Sequence, residues 1–173
     1  MKLKNLIPIV ILLSLTIAAS AQNLAELSRR NGFKDIRLGI SIDSIKGTKF
    51  KKDIKEKNEF PAKLYEVKND EYESIGEVSV NTLELKTYRN LVYEIRVITE
   101  KDTRLMKAMT KSFGDPKYII PTDTYNWAVP EVLSLTFKNH NKKEILLTYR
   151  CYPVIKQMSI DKGKKVEAIS EDF

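Results

Sequence analysis

Residues 75–100, IGEVSVNTLELKTYRNLVYEIRVITE, constrain the fold most strongly, because they form two alternating apolar segments joined by a short turn. This pattern is typical of a β-hairpin in which one face of both strands is buried. Placing the apolar residues of 83–85 and 93–97 on one face requires an odd number of loop residues around Arg89-Asn90. Strands joined this closely are antiparallel.

The charges flanking this turn favour one loop length. A five-residue loop sets Glu84 opposite Arg96 and Lys86 opposite Glu94. A three-residue loop would place Glu84 opposite Glu94, which is a repulsive pair. The sequence therefore predicts the longer loop.

Residues 102–113, DTRLMKAMTKSF, have helical spacing of apolar residues, and either Asp102 or Thr103 is suited to cap the start. Gly114 and Pro116 then provide a helix stop. Further strands are predicted at 118–127, 131–138 and 144–152, the last two as a second hairpin.

The remaining segments complete the predicted order. A short helix is expected before Asn31-Gly32, and a solvated helix is expected over 47–60, where lysines and glutamates alternate around Phe50 and Ile54. The order of helices and strands predicts an α+β fold, with an antiparallel sheet and helices packed on one face. It also suggests a pseudo-repeat of two α-β-β-β units.

The first 21 residues have the features of a secretory signal peptide. Lys2 and Lys4 precede an apolar run over 6–19, and the small residues Ala19 and Ala21 suit cleavage after position 21. We therefore expect an exported chain, periplasmic or extracellular, with no stable membrane span after cleavage. Residues 22–160 are predicted to form a single domain, and 161–173 a loosely ordered tail.

The chain carries a formal net charge of +7. In an exported protein this charge indicates an anionic envelope polymer or an envelope protein as partner rather than nucleic acid. The lysine-rich surface is one candidate site for such a polymer, through Lys49, Lys51, Lys52 and Lys55. Scattered lysines that only aid solubility are the simpler interpretation.

Residues suited to catalysis or metal binding are sparse. The chain has one His and one Cys, and His140 and Cys151 are predicted at opposite ends of one hairpin, so no Cys-His pair or zinc site is expected. No cofactor-binding motif is present, and we expect no cofactor. Asp115 and Asp123 remain candidates for a carboxylate pair acting on glycan, although turn formation accounts for both.

Aromatic and basic residues interleave over 117–127. Tyr125 and Trp127 share one face of a strand, with Lys117 and Tyr118 close in sequence, and an exposed group of this kind suits a sugar or an apolar peptide side chain. Trp127 as a core residue beneath the 102–113 helix is the favoured interpretation, because a lone tryptophan in a domain of this size is usually buried.

Four short motifs carry a family resemblance: LGIS at 38–41, FGDP at 113–116, the strand containing Trp127, and LSLTF at 133–137. In this order they resemble the small exported envelope domains typified by BamE and the β-lactamase inhibitor protein-like fold. The resemblance implies a helical pair packed on an antiparallel sheet. The chain lacks the lipoprotein cysteine of the former and the paired cysteines of the latter, so no functional residue is carried over.

These observations favour an exported, non-enzymatic binding or scaffold domain that contacts a protein or an envelope polymer. The alternative is an envelope glycan hydrolase that uses paired carboxylates. The sequence does not specify an oligomeric state.

Overall fold

A single large antiparallel sheet organises the structure, a computed structural model that describes residues 23–56 and 60–171. Its strands follow the spatial order β3-β4-β6-β7-β11-β10-β9-β8, and β5 pairs with β6 beside this path. The strands of the sheet are β3 (Thr48–Glu56), β4 (Phe60–Val67), β5 (Ser74–Ile75), β6 (Val78–Tyr88), β7 (Leu91–Glu100), β8 (Lys117–Ile119), β9 (Thr124–Val129), β10 (Leu133–Asn139) and β11 (Glu144–Cys151). A separate two-stranded ribbon consists of β1 (Gly32–Phe33) and β2 (Ile36–Arg37).

One face of the sheet is an apolar layer. Directly paired residues share a face, so the register traces a continuous row across five strands. This row consists of Leu85, Ile95, Tyr149, Leu135 and Trp127. All five side chains are buried, which places the main hydrophobic core on this face.

The opposite face carries a row of charged and small polar residues. Lys86 pairs with Glu94, Glu94 with Arg150, and Arg150 with Ser134. In the next row, Glu84 pairs with Arg96. The alternation of apolar and polar residues along each strand therefore separates the sheet into two chemically distinct faces.

Within the described residues three α-helices cover this sheet: α1 (Leu24–Arg30), α2 (Thr103–Phe113) and α3 (Tyr152–Ser170). Helices α1 and α2 lie on the apolar face, where the Phe113 ring packs 6.4 Å from the Trp127 ring and Asn23 N–H donates to the Phe113 carbonyl. Helix α3 lies on the polar face, where Tyr88 donates to Asp161. Helices therefore pack on both faces.

The predicted helix stop after α2 is confirmed. Asp102 caps the start by accepting a hydrogen bond from Arg104 N–H, and Gly114 N–H donates to the Thr110 carbonyl at the end. Gly114 has φ 77° and ψ −171°, a backbone region that essentially only glycine adopts. Pro116 then prevents the helix from continuing.

The β6–β7 hairpin has the predicted pairs but not the predicted loop. Glu84 lies opposite Arg96 and Lys86 opposite Glu94, as expected. The turn contains only Arg89 and Asn90, both at positive φ, as a type I′ turn requires. The register shifts between Lys86 and Thr87, so Tyr93 is left without a partner on β6 and reaches Glu56 with its hydroxyl.

The predicted α+β fold, with helices on one face and two α-β-β-β units, is wrong. Residues 48–56, expected to be helical, form β3, and the sheet has nine strands within 23–56 and 60–171. Phe50 and Ile54 are four residues apart, a spacing that fits a helix. In β3 a register shift after Phe50 separates them, so Phe50 pairs with Tyr65 and Ile54 pairs with Ala62 on the other face. Pairing with β4 decides between helix and strand, because tertiary contacts override the helix propensity of lysine and glutamate.

The C-terminal segment also differs from expectation. Residues 161–170, expected to be loosely ordered, form the second half of α3. Asp161 is buried and bonded to Tyr88 and Gln157, which fixes the helix at its middle, whereas residues 162–170 are all exposed. The proposed signal peptide, 1–21, lies outside the described residues.

Candidate functional site

The aromatic residues Tyr118 and Tyr125 form an exposed pair at the lateral edge of the sheet formed by β8 and β9. They are directly paired across β8 and β9, and Tyr125 pairs in turn with Phe137 on β10. The Tyr118 and Tyr125 ring centroids are 4.9 Å apart, and those of Tyr125 and Phe137 are 6.2 Å apart. Phe137 is buried, while Tyr118 and Tyr125 are 46% and 38% exposed. The apolar layer of the sheet thus reaches solvent here.

A tight turn orients the outer tyrosine. Residues Ile120–Thr122 form one 3₁₀ turn after β8, and Asp123 has φ 47° in the left-handed region. This geometry brings Asp123 Oδ1 to 2.7 Å from the Tyr118 hydroxyl, which donates to it. The hydrogen bond raises the pKa of Tyr118, and burial acts in the same direction. Ile120, at the start of the turn, is 79% exposed. We call Tyr118, Tyr125 and Ile120 the aromatic edge.

Trp127 and Lys117 lie away from this pair. Trp127 shares the face of Tyr125 but is fully buried, and its Nε1–H donates to the Gly114 carbonyl at 2.7 Å. Lys117 is exposed and pairs with Asn126, so it belongs to the opposite face. The structure therefore brings two of the four predicted binding residues together.

The candidate carboxylate pair is exposed. Asp115 and Asp123 both lie on the surface, and Asp123 accepts the Tyr118 hydroxyl. Glycoside hydrolysis relies on a carboxylic acid kept protonated by a desolvated setting. Asp123 instead positions a tyrosine side chain.

A charged cluster that the sequence analysis missed lies between the sheet and α3. It consists of Glu56, Lys86, Glu94 and Arg150. Lys86 Nζ bridges Glu56 Oε1 and Glu94 Oε1, the latter at 3.1 Å, and Arg150 Nε donates to Glu94 Oε2 at 2.7 Å. The Glu94 side chain is only 5% exposed. A cavity of about 270 Å³ adjoins the cluster, bordered by Ile155 and Met158 of α3.

Hydrogen bonds lower the pKa of Glu56 in this cluster. Burial opposes the charge on Glu56, but hydrogen bonds from Lys86 and Tyr93 outweigh burial and lower its pKa. Burial and the bond to Glu56 raise the pKa of Tyr93, so this phenol remains a donor. Two carboxylates are matched by two cations, and a carboxylate held in this way is an acceptor rather than a general acid. The sequence indicated only the Lys86–Glu94 pair of this cluster, because these two residues belong to one hairpin. Glu56 on β3 and Arg150 on β11 are distant in sequence and reach the pair only through the assembly of the sheet.

A second missed feature is a groove of about 630 Å³ at the end of the sheet, beside the β6–β7 turn and the second half of α3. Four cationic side chains and two carboxylates line it, which gives a net charge of +2. We call this the basic groove, and its charged residues are Lys63, Arg89, Lys164, Lys165, Asp53 and Asp161. Arg89 NH2 lies 2.9 Å from Asp161 Oδ2, and the hydrogen bond from Tyr88 is the largest cause of a lowered pKa at Asp161.

The two residues suited to nucleophilic catalysis are separated, as predicted. Cys151 is buried at the end of β11, and burial raises the pKa of its thiol. His140 lies at the other end of the same hairpin, in the turn between β10 and β11. Over residues 23–56 and 60–171, no group of three or more His, Cys, Asp or Glu residues is arranged to hold a metal ion.

No family model matches the chain, and neither a curated protein nor a solved structure is significantly similar to it. Among the described residues, none of the helices combines the length and apolar character needed to cross a membrane. The candidate sites therefore depend on the chain's own geometry.

Proposed function

We propose that the chain is an exported, non-enzymatic binding domain of the cell envelope that contacts another protein through its aromatic edge. The exposed pair of Tyr118 and Tyr125, whose rings are in contact, carries this proposal. Tyrosine supplies a large amphipathic contact area with few rotatable bonds, which is why it is enriched in protein interfaces. The pair extends the apolar layer of the sheet into solvent.

Preorganisation of the pair supports a binding role. Tyr118 is held by its tilted ring contact with Tyr125 and by the hydrogen bond to Asp123. A side chain that is already fixed loses less conformational entropy when a partner binds. Tyr125 is supported from behind by the buried ring of Phe137.

A protein partner fits this edge better than a glycan. Ile120 is aliphatic and strongly exposed, so covering it benefits an apolar partner surface. Strand β8 lies at the end of the strand order, and its outer backbone groups suit the addition of a partner strand. The opposite edge strand, β3, carries Lys49, Lys51, Lys52 and Lys55, and charges of this kind discourage strand pairing.

The remaining parts of the proposal have separate support. Export rests on the apolar segment at 6–19 with its flanking lysines and small residues. A non-enzymatic role is supported by the paired state of the charged cluster and by the surface position of Asp115 and Asp123. Placement among exported envelope domains resembling BamE remains part of the proposal.

Affinity capture from an envelope extract of the source organism tests whether the aromatic edge is the protein-binding surface. We compare the chain starting at residue 22 with the Tyr118→Ala/Tyr125→Ala variant and with Phe50→Ala as a matched control. Phe50 is also an exposed aromatic residue, and its ring makes an edge-to-face contact with Tyr65 at the other edge. We expect the double variant to lose the captured protein by at least about tenfold, and Phe50→Ala to retain it.

Two results would contradict the proposal. Loss of capture with Phe50→Ala but not with Tyr118→Ala/Tyr125→Ala would place the binding surface at the β3 edge instead of the aromatic edge. Steady turnover of a panel of envelope glycans by the purified chain would show that the protein is an enzyme.

A further inference from the structure

The basic groove has features of a second binding site that is independent of the aromatic edge. Its walls come from the β3–β4 hairpin, the β6–β7 turn and α3, so residues distant in sequence converge on one concave space. Its volume of about 630 Å³ falls within the range of small-ligand sites, roughly 300–1,000 Å³. The sign of its net charge selects for anions.

Arg89 occupies a costly position at the mouth of the groove. It has φ 47° at the first central position of the type I′ turn, where asparagine and glycine are favoured. A long side chain at positive φ is uncommon, although Lys34 and Glu131 share this conformation elsewhere in the chain. The guanidinium lies 2.9 Å from Asp161 and 5.8 Å from the centre of the Tyr88 ring, which fixes its direction.

The two carboxylates of the basic groove, Asp53 and Asp161, do not neutralise all of its cationic side chains. Asp161 is buried and takes hydrogen bonds from Tyr88 and Gln157 besides its ion pair with Arg89. The other carboxylate, Asp53, lies on the edge strand directly opposite Lys63. Lys63, Lys164 and Lys165 are exposed and form no ion pair within 4.0 Å in the described part of the chain. The fork of Arg89 presents further N–H donors beyond the one that meets Asp161.

We propose that the basic groove binds a multivalent anion carrying phosphate or sulfate groups, of the kind displayed along an anionic polymer. A planar guanidinium matches the paired oxygens of such groups, while lysines contribute as point charges. Lys164 and Lys165 on α3 line the same groove as Lys63 and Arg89, so the groove offers cations to more than one anionic group.

Isothermal titration calorimetry with tripolyphosphate tests this site on the chain starting at residue 22. We compare Lys164→Gln/Lys165→Gln with Lys49→Gln/Lys52→Gln, which removes the same charge from the outer edge of β3. Arg89→Asn is the third variant, because asparagine tolerates positive φ and preserves the turn. We expect the Lys164→Gln/Lys165→Gln and Arg89→Asn variants each to weaken binding by about tenfold, and the Lys49→Gln/Lys52→Gln variant to change it less than about twofold.

Four results would overturn the proposal. The first is no measurable heat with tripolyphosphate at low salt, and the second is equal weakening by both lysine double variants, which indicates net charge alone. The third is tighter binding of a glutamate peptide of equal charge, which identifies an acidic protein as ligand.

Inorganic phosphate and sulfate serve as single-group probes for the fourth result, and we expect both to bind more weakly than tripolyphosphate. Equal affinity for either would contradict a multivalent ligand. None of these outcomes depends on the aromatic edge.

Discussion

Glu94 on β7 joins three neighbouring strands of the sheet through ion pairs with Lys86 on β6 and Arg150 on β11. Its two carboxylate oxygens receive Lys86 and Arg150, and its side chain is almost completely buried. Removing one partner of a buried ion pair lowers the free energy of unfolding more than replacing both partners does, because the remaining charge is left buried without a partner. The stability of the polar face therefore depends on this side chain.

We expect Glu94→Gln to lower the free energy of unfolding by about 2 kcal/mol. Urea unfolding followed by circular dichroism measures the change. Glu77→Gln is the matched control, since Glu77 pairs with Arg104 where both side chains are largely exposed, and we expect a change below about 0.5 kcal/mol. Equal effects of the two substitutions would show that the charged cluster contributes no more than a surface ion pair.

Helix α2 shows how local signals determine an element and its end. Asp102, Gly114 and Pro116 each act within a few residues, so the sequence predicted the helix almost to its observed bounds. Gly114 also accepts the Trp127 Nε1–H, which connects the helix stop to the core. The Gly-Asp-Pro step is thus a helix end that is also a packing contact.

We expect Gly114→Ala to destabilise the chain by about 1–3 kcal/mol, because alanine is strained at φ 77° and ψ −171°. Gly163→Ala is the control: Gly163 lies inside α3, and an added Cβ there meets nothing within 4 Å. That substitution should instead stabilise the helix by up to about 1 kcal/mol. Chemical denaturation of both variants gives the comparison, and a neutral Gly114→Ala would contradict the strained helix end.

Elements that depend on distant pairing were predicted less well. The β10–β11 hairpin is local and was predicted correctly, and in the structure it pairs Leu135 with Tyr149 and Phe137 with Leu147. Strand β3 depends on β4 for its conformation, and a lysine-rich segment gives no local signal for that pairing. Among the candidate binding residues, Tyr118 and Tyr125 converge because they share a short hairpin. The basic groove required α3 to cross the sheet end, which no local pattern indicates.

At the scale of the whole molecule, several tyrosines couple stability to alkaline pH. Burial raises the pKa of Tyr72 to about 12, and a hydrogen bond to Asp35 acts in the same direction. Burial is also the largest cause of the raised pKa values of Tyr88, Tyr93 and Tyr149. Above pH of about 10 the unfolded chain loses these protons while the folded chain retains them.

We therefore expect the ionisation of these tyrosines to leave the free energy of unfolding unchanged below a pH of about 10 and to lower it as the pH rises toward about 12. Ultraviolet absorbance of tyrosinate, recorded for the native and the urea-unfolded chain, tests the same linkage. The native chain should require a higher pH for most of its eight tyrosines to ionise. Overlapping titration curves would contradict the burial of these phenols.

The two edges of the sheet differ in a way that bears on function. Lysines occupy the outer strand β3, while the β8 edge presents an aromatic pair followed by an exposed isoleucine. Charged edges discourage the approach of another strand, and apolar edges promote it. The molecule is thus asymmetric, with one edge suited to a protein partner.

Photo-crosslinking in living cells tests this asymmetry most directly. A photoreactive phenylalanine analogue is placed at position 120 on the aromatic edge, or at position 50 on the lysine-rich edge, in the otherwise unchanged chain. The account predicts a discrete crosslinked protein from position 120 that disappears when Tyr118→Ala/Tyr125→Ala is added, and none from position 50. Crosslinks from position 50 alone, or from position 120 unaffected by the tyrosine substitutions, would contradict it.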